Sequence, residues 1–519
     1  MLAILDTAVV HGLRGELVRV EVDIAQGLPS FHIVGLPDAA LSEARERVRS
    51  AVRNAGFQYP LARITVNLAP ADRRKHGAAY DVAIAVGILL AHEQIRAAGG
   101  AWALLGELSL DGGIRAVSGV LPMVATLRAA GHRRVCVPRS NMEEAALVEG
   151  IEVVGADGLD DVARLVAGPR GRTAARARRR RVVRVAGSAE AAGAQRLATN
   201  GATELADVRG QEQARWALEV ALAGRHNLLL IGSPGAGKTM LARSIPGLQP
   251  PLTEAEAHEV AVIRSVCGEE AGTQDRRTRP FRSPHHTTSY AAMVGGGPQL
   301  RPGLVTQAHR GVLFLDELTE FDRDVLDALR QPLEDGSVEI VRARGSVTYP
   351  ARLQLVAAMN PCRCGWDGDP ERPCSCPPQE PPRYRRRVSG PLADRIDLRV
   401  VMPRMATEEL VSRARPESSA VVARRVHRSW EHALRRNGGR PNAELQGRQL
   451  LAVCALPGSA RRTLAELGEQ LDLTGRGVHR LMRVGRTIAD LRGAGSVESE
   501  DLLAAAALRD RSLEQVSRA

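Results

Sequence analysis

Apolar and polar positions alternate with period two in LVRVEVDI (17–24) and RITVNLA (Arg63–Ala69), which predicts two half-buried strands. Between them DAALSEARERVRSAVRNAG has helical spacing, with Asp38 as N-cap and Gly56 as terminator, and predicts a helix. ALLGELSLDGGIRAV reads as a hairpin turning at Asp111-Gly112-Gly113. Residues 1–168 are thus expected to form an α/β or α+β domain. Further on the pattern changes to short unbroken apolar runs at 228–231, Val312–Leu315 and 353–360, alternating with helical stretches. Strands buried on both faces read this way, so 201–403 is expected to be an α/β core around a parallel sheet. Residues 404–519 have helical periodicity, clearest in DLLAAAALRDR, and no internal repeat is visible.

The segment 169–200 breaks the pattern. PRGRTAARARRRRVVR packs eight arginines into sixteen residues, a block that repels itself and reads as a solvated linker. The same arginines would suit a tether to nucleic-acid phosphates, and the sequence leaves both readings open. Over 519 residues the net charge is 71 − 59 = +12, which favours polyanionic partners without naming one. Only Lys75 and Lys238 are lysines, so nearly all of this charge is arginine, as a codon bias would produce. Aromatics make up 3%, too few for stacking platforms along single-stranded bases. The longest strongly apolar stretch, 82–91, spans about half a bilayer, and no basic segment precedes Asp6. No membrane partner and a cytoplasmic location are the expectations.

The strongest chemical signal is HNLLLIGSPGAGKTMLARSI (226–245). An apolar strand runs into Gly232-Ser233-Pro234-Gly235-Ala236-Gly237-Lys238-Thr239 and then a helix, the G-x-x-x-x-G-K-[ST] pattern in its strand–loop–helix setting. Glycines let backbone N–H groups curl around phosphates, and the helix N-terminus adds its positive dipole. Lys238 is expected at the β- and γ-phosphates and Thr239 at Mg²⁺. In GVLFLDEL a buried strand delivers Asp316 and Glu317 at its C-terminal end, where α/β sheets bind ligands. Asp316 is expected to hold magnesium, and Glu317 to orient or deprotonate an attacking water. The third run ends at Asn360, placed either to contact the γ-phosphate or the water, or simply to turn the chain before Pro361.

With these motifs stand TVNLAPADRRKHGAAYDVAIAVGILLA, FRSPHHTTSYAAMVGGG, GVLFLDELTEFDRDVLDALRQPLEDG, AAMNPCRCG, SGPLADRIDL and VHRLMRVGRTIADL. In this order they resemble the YifB/ComM family of magnesium-chelatase-like AAA+ ATPases over essentially the whole chain. The resemblance implies a ring-forming motor, usually a hexamer, using ATP and Mg²⁺. It implies sensor 1 at Asn360, an arginine finger at Arg395 serving the neighbouring subunit, and sensor 2 at Arg476, with Arg480 as a rival. An arginine supplied in trans suits the charge that spreads over a γ-phosphoryl group in the transition state. By the same resemblance 1–168 is a Lon-protease-like domain and 404–519 a helical lid. Lon chemistry needs a serine activated by a lysine; KHGAAYD offers Ala78 and Ala79, and SGVLPMVATLRAAG has no lysine. A non-catalytic role follows: binding DNA or partners, or shaping the ring. FRSPHHTTSYAAMVGGG resembles an insertion facing a ring channel. Its His285 and His286 are expected to point apart, which suits loop positioning better than metal binding. GSVEIVRARGSVTYPARL resembles the hairpin before sensor 1 in replicative-helicase relatives, with Arg342 and Arg344 at a tip that either tracks DNA phosphates or is merely solvated.

Four of the seven cysteines form C-x-C-x9-C-x-C: Cys362, Cys364, Cys374 and Cys376. Four thiolates within fifteen residues suit a closed structural Zn²⁺ site, with unligated thiols or a redox pair as alternatives. Cys136, Cys267 and Cys454 read as structural. The expectation for function is an ATP-driven DNA motor, a branch-migration helicase on recombination intermediates such as those of natural transformation. A chelatase-type motor subunit and a protein-remodelling ATPase are the alternatives.

Overall fold

The computed structural model describes residues 1–35, 39–70, 77–99, 101–168, 183–185, 203–269, 276–297, 300–342, 345–369, 371–388, 390–405 and 416–509. Asp38, Lys75, Arg344 and almost all of the arginine-rich linker lie outside them. The chain divides into two compact units, 1–195 with 258–274, and 196–257 with 275–519.

The first unit is built on strands β1 (Leu2–His11), β2 (Arg14–Ala25), β3 (Ser30–Val34), β4 (Arg63–Ala69), β5 (Ala103–Leu104), β8 (Arg134–Pro138), β9 (Glu152–Ala156) and β10 (Val183–Val185). They form one mixed sheet in the order β10-β9-β8-β5-β1-β2-β4-β3. The small hairpin β6 (Glu107–Leu108) and β7 (Ile114–Arg115) turns through Asp111 and the left-handed Gly112, as its residues predict. The helix Ala39–Asn54 ends at Gly56 in the left-handed region. The helix Asp81–Ala91 is buried almost throughout, because its apolar residues lie on every face. Sequence reading missed β1. It carries Leu2 and Ile4 outward and Ala3 and Leu5 inward, so apolar residues on both faces erase the alternation. Residues 258–274 were expected in the ATPase core by chain order and cluster instead with this unit. Ser265 accepts the backbone N–H of Gly119 on its carbonyl (2.8 Å) and that of Leu121 on its hydroxyl (3.2 Å), capping the helix Val120–Ala129. Ala261 and Val262 pack on the neighbouring apolar cluster.

The second unit holds β11 (Leu228–Gly232), β12 (Phe281–Arg282), the ribbon β13 (Gly295–Gly296) with β14 (Arg301–Pro302), β15 (Val312–Leu315), the hairpin β16 (Ser337–Arg342) with β17 (Gly345–Pro350), β18 (Gln354–Met359) and β19 (Leu398–Met402). Five strands make a wholly parallel sheet in the order β12-β15-β18-β11-β19. Its apolar core is continuous with that of the C-terminal helices, including Ser419–Arg436, Gly475–Arg492 and Ser499–Ala507. A buried polar network pins those helices: Arg436 and Arg486 both donate to Asp490 (2.5 and 2.9 Å), Asn442 adds 2.8 Å, and His226 meets Thr487 at 2.8 Å just before β11. Among the described residues no helix is long and apolar enough to cross a membrane.

Candidate active site

The parallel sheet brings the C-terminal ends of β11, β15 and β18 side by side, and the loop 232–239, Asp316-Glu317 and Asn360 follow them in turn. After β11 the loop 232–237 turns through Gly235 and Gly237 at φ +82° and +90°, a region that side-chain-bearing residues enter at a cost. The helix Lys238–Arg243 begins directly behind it. Lys238 is 8% exposed, and its Nζ donates to the carbonyls of Gly232 (2.7 Å) and Ser233 (3.0 Å) and to Asn360 Oδ1 (3.1 Å). Burial pushes this ammonium down to about 8, against the pull of Asp316 and Glu317. Those three acceptors are ones that phosphate oxygens can replace, so the lysine is held ready rather than locked away.

Thr239 Oγ1 donates to Asp316 Oδ2 at 2.6 Å, joining the hydroxyl and the carboxylate that the sequence assigned to magnesium. Two adjacent hard oxygen donors beside a phosphate loop fit Mg²⁺, which keeps most of its own waters and needs few protein ligands. Asp316 Oδ1 in turn accepts the backbone N–H of Glu317 at 3.0 Å. Glu317 itself stands at φ +52° and ψ +47°, with its side chain 55% exposed. A non-glycine residue in this region is uncommon and marks a constrained turn.

Two further residues reach the site: Gln211, which sequence reading did not assign, and His286, which it read as positioning a loop. Gln211 donates to the carbonyls of Ala236 (3.3 Å) and Pro403 (2.6 Å), tying the phosphate loop to the end of β19. No motif spacing singles it out. His286 Nδ1 lies 3.0 Å from Glu317 Oε2. The expectation that His285 and His286 point apart fails: their ring centroids are 4.1 Å apart at an interplanar angle of 35°. His285 Nδ1 is occupied by Thr287 Oγ1 at 2.9 Å, which turns the strand-exit loop so that both rings lie together.

Arg395 and Arg476 fall elsewhere. Both line a cavity of about 760 Å³ together with Glu334, Asp394, His479 and Arg483, and none of residues 232–239 lines it. Arg395 pairs with Glu334, whose carboxyl is held below the usual range by Arg395 first and by Arg476. Asn227, at the foot of β11, holds the Arg395 carbonyl at 2.7 Å. Arg480 is buried and donates to the carbonyls of Asp394 and Ile396, with Asp397 Oδ1 3.6 Å away. It braces the segment carrying Arg395, while Arg476 is exposed at the start of its helix.

The four clustered cysteines come together, with all ligand atoms within 4.8 Å of one another. The Sγ–Sγ separations are 3.3, 3.5 and 3.6 Å among Cys362, Cys364 and Cys374. A tetrahedral zinc tetrathiolate has edges of about 3.8 Å, so the donor set fits. Gly365, at φ +87°, lies against the phosphate loop: a Cβ there would come within 2.6 Å of Pro234 Cδ. The cysteine loop therefore braces Pro234 directly. Arg342 ends β16 at an exposed hairpin tip, and Arg344 lies outside the described residues.

Residues 204–410 match the family model "Magnesium chelatase, subunit ChlI", residues 20–141 match "Subunit ChlI of Mg-chelatase", and 416–509 match the subunit's C-terminal family. YifB of Escherichia coli strain K12 is 41% identical over 511 residues, covering 98% of this chain and 97% of that one. Competence protein ComM of Haemophilus influenzae is 40% identical over 495 residues, covering 95% and 94%. The chain belongs to the YifB/ComM family. A protein of Mycobacterium tuberculosis strain H37Rv is 45% identical over 514 residues, covering 96% and 97%. The YifB/ComM membership and the parallel sheet together make the second unit an AAA+ α/β fold and the chain an AAA+ ATPase, suited to ATP and Mg²⁺.

Proposed function

We propose that this YifB/ComM chain is an ATP-driven DNA motor that assembles as a ring, usually a hexamer, and migrates branches in recombination intermediates. The hydrolytic half of the reading rests on Lys238, Thr239, Asp316, Glu317 and Asn360 at neighbouring strand ends. In it, residues 232–237 and Lys238 bind the phosphates, Thr239 and Asp316 hold Mg²⁺, and Asn360 fixes the attacking water or the γ-phosphate. Magnesium bound with ATP supplies neutralisation of the phosphate charge. Glu317 takes a proton from the attacking water as its oxygen bonds to the γ-phosphorus and the bridging P–O bond breaks, leaving ADP and inorganic phosphate.

The observation that carries the ring is the position of Arg395 and Arg476 at a cavity that their own chain's phosphate loop does not line. Arginines so placed serve a neighbour's γ-phosphate, and the two act there as finger and sensor 2. The DNA half is supported by near full-length likeness to a competence protein and by the exposed Arg342 at the end of β16. The first unit, Lon-like in sequence and without the serine–lysine pair, takes a scaffolding or binding role, and the C-terminal helices act as the lid. Zinc on Cys362, Cys364, Cys374 and Cys376 staples the loop that braces Pro234. The motor works in the cytoplasm.

A chelatase-type motor remains the second reading because the matched family models carry that description. The deciding experiment is steady-state ATPase with branched, double- and single-stranded DNA at two salt concentrations. Stimulation by branched DNA that fades with salt supports the DNA motor. No stimulation and no salt-sensitive binding overturns it in favour of the chelatase reading.

A further inference from the structure

The segment 360–379, between β18 and the helix Glu380–Arg385, forms neither helix nor strand among its described residues. A loop of that length inside a compact unit must be held by something other than its own backbone. Arg385 takes the Pro361 carbonyl at 3.0 Å and pairs with Asp367, and Arg404 meets Glu371 at 3.4 Å. Between these ties the sulfurs of Cys362, Cys364, Cys374 and Cys376 form the loop's own centre, all within 4.8 Å of one another. Cys362 is buried, while Cys364, Cys374 and Cys376 are half-buried, so a small solute reaches three of the four.

The same loop meets the nucleotide site at two points. Cys362 stands two residues after Asn360, whose side chain accepts from Lys238, and Gly365 follows Cys364 directly and lies against Pro234. That second contact is close: a Cβ on Gly365 would lie 2.6 Å from Pro234 Cδ and 2.7 Å from its Cγ. Pro234 is the one proline of the phosphate loop, and its ring fixes a backbone angle where the chain must curl round phosphates. Whatever moves Cys364 therefore moves the packing on the stiffest residue of that loop.

We propose that the four-cysteine site is an oxidant-sensitive zinc–thiolate switch: a peroxide joins Cys364 to Cys374 as a disulfide, zinc leaves, and the phosphate loop loses affinity for nucleotide through Pro234. The proposal rests on the zinc and ATP-binding readings of these residues. The sulfurs of Cys364 and Cys374 stand 3.5 Å apart. The Cys364 thiolate attacks one peroxide oxygen, the O–O bond breaks, and the hydroxide released is protonated by solvent to water. The Cys374 thiolate then attacks the sulfur of the Cys364 sulfenic acid; the S–S bond forms, and a second hydroxide leaves and becomes water. Two electrons pass from the sulfurs to the peroxide, and two protons come from solvent. Left with two of its four ligands, zinc exchanges into water. Drawing the two sulfurs together pulls Cys364, and Gly365 with it, off Pro234. In a compartment that keeps thiols reduced, such a bond forms only under oxidant and is undone afterwards.

The test uses the full chain, purified reduced with zinc and titrated with hydrogen peroxide. Zinc released to a chelating dye, disulfide position by peptide mapping and affinity for a fluorescent ATP analogue are read at each dose. Zinc loss, a bond between Cys364 and Cys374 and an ATP affinity weakened about fivefold or more are expected together. Dithiothreitol with zinc is expected to reverse all three, and dithiothreitol with a chelator to leave the affinity weak. Pro234→Ala is expected to lose zinc at the same dose while its oxidised and reduced affinities stay within about twofold of each other. Zinc release and disulfide formation with unchanged ATP affinity overturn the proposal, as does a Pro234→Ala chain that responds as wild type does. Circular dichroism certifies the fold, and an oxidised chain that unfolds overturns the switch. The underlying readings fail separately, and either failure takes the proposal with it: a reduced chain that binds no zinc sinks the zinc reading, and one that holds zinc but binds no ATP sinks the nucleotide reading.

Discussion

Each unit buries charged groups where a helix starts beside a sheet, and the two do so for different ends. In the first unit Asp81 is fully buried at the head of its helix. Arg47 grips it with two hydrogen bonds (2.8 and 3.3 Å), and the Leu108 N–H adds a third at 3.3 Å. Nothing in that arrangement leaves an atom for a ligand. In the second unit Lys238 is buried at the head of its helix, yet its partners are two loop carbonyls and the amide of Asn360, and Thr239 and Asp316 satisfy one another. Every one of these bonds can be exchanged for a phosphate oxygen or an ion. Burial of charge alone does not separate structure from function; the replaceability of the partners does.

The largest expected effect breaks the second site alone. Lys238→Ala is expected to lose nucleotide binding and turnover together in an ATPase and fluorescent-nucleotide assay, with the fold intact by circular dichroism. Next, Asp81→Ala should leave Arg47 without its buried partner and cost the first unit about 3–5 kcal/mol, read as an earlier urea transition of the full chain. Its ATP affinity per folded molecule is expected to stay at the wild-type level. Equal loss of nucleotide binding in both variants would erase the distinction between the two sites.

The distinction was only partly legible in the residues. The glycine loop, Lys238, Thr239 and the Asp316-Glu317 pair could be read because backbone curvature and phosphate charge demand those residue types at that spacing. Their mutual bonds could not, because pairing between 239 and 316 or 238 and 360 depends on the order of strands in the sheet. His286 was weighed as a loop residue, since two adjacent histidines carry no spacing signal, and only the pairing of β12 with β15 brings it to Glu317. Arg480 against Arg476 was likewise undecidable from an arginine-rich helix; the fold buries Arg480 against the 394–397 segment and leaves Arg476 exposed. Asp81 went unnoticed inside an apolar run, because one polar residue at a helix start reads as a cap. The four cysteines were read as a cluster from spacing, but the contact of Gly365, beside Cys364, with Pro234 needed coordinates.

Smaller effects sharpen the comparison. Burial pushes the Lys238 ammonium down to about 8, so below that pH the charged form predominates. Above it, binding must first restore the proton. Nucleotide affinity measured by titration calorimetry is therefore expected to be flat from pH 6.5 to 7.5 and to weaken by up to about tenfold per pH unit above 8. A flat profile to pH 9.5 would show the lysine to be charged throughout. Zinc removal follows: a chelator is expected to release one zinc per chain and weaken nucleotide binding through the loosened Pro234, and Cys374→Ser should do the same. Smallest, Arg342→Ala should reduce the slope of log affinity against log salt for DNA by about one and weaken binding evenly across sequences.

The measurement that bears most directly on the account is ATP turnover by Glu317→Gln alongside its nucleotide affinity. Loss of a general base predicts turnover reduced by about 10²-fold or more while ATP binds as tightly as in wild type. Turnover at the wild-type rate in that variant would contradict the assignment of the site.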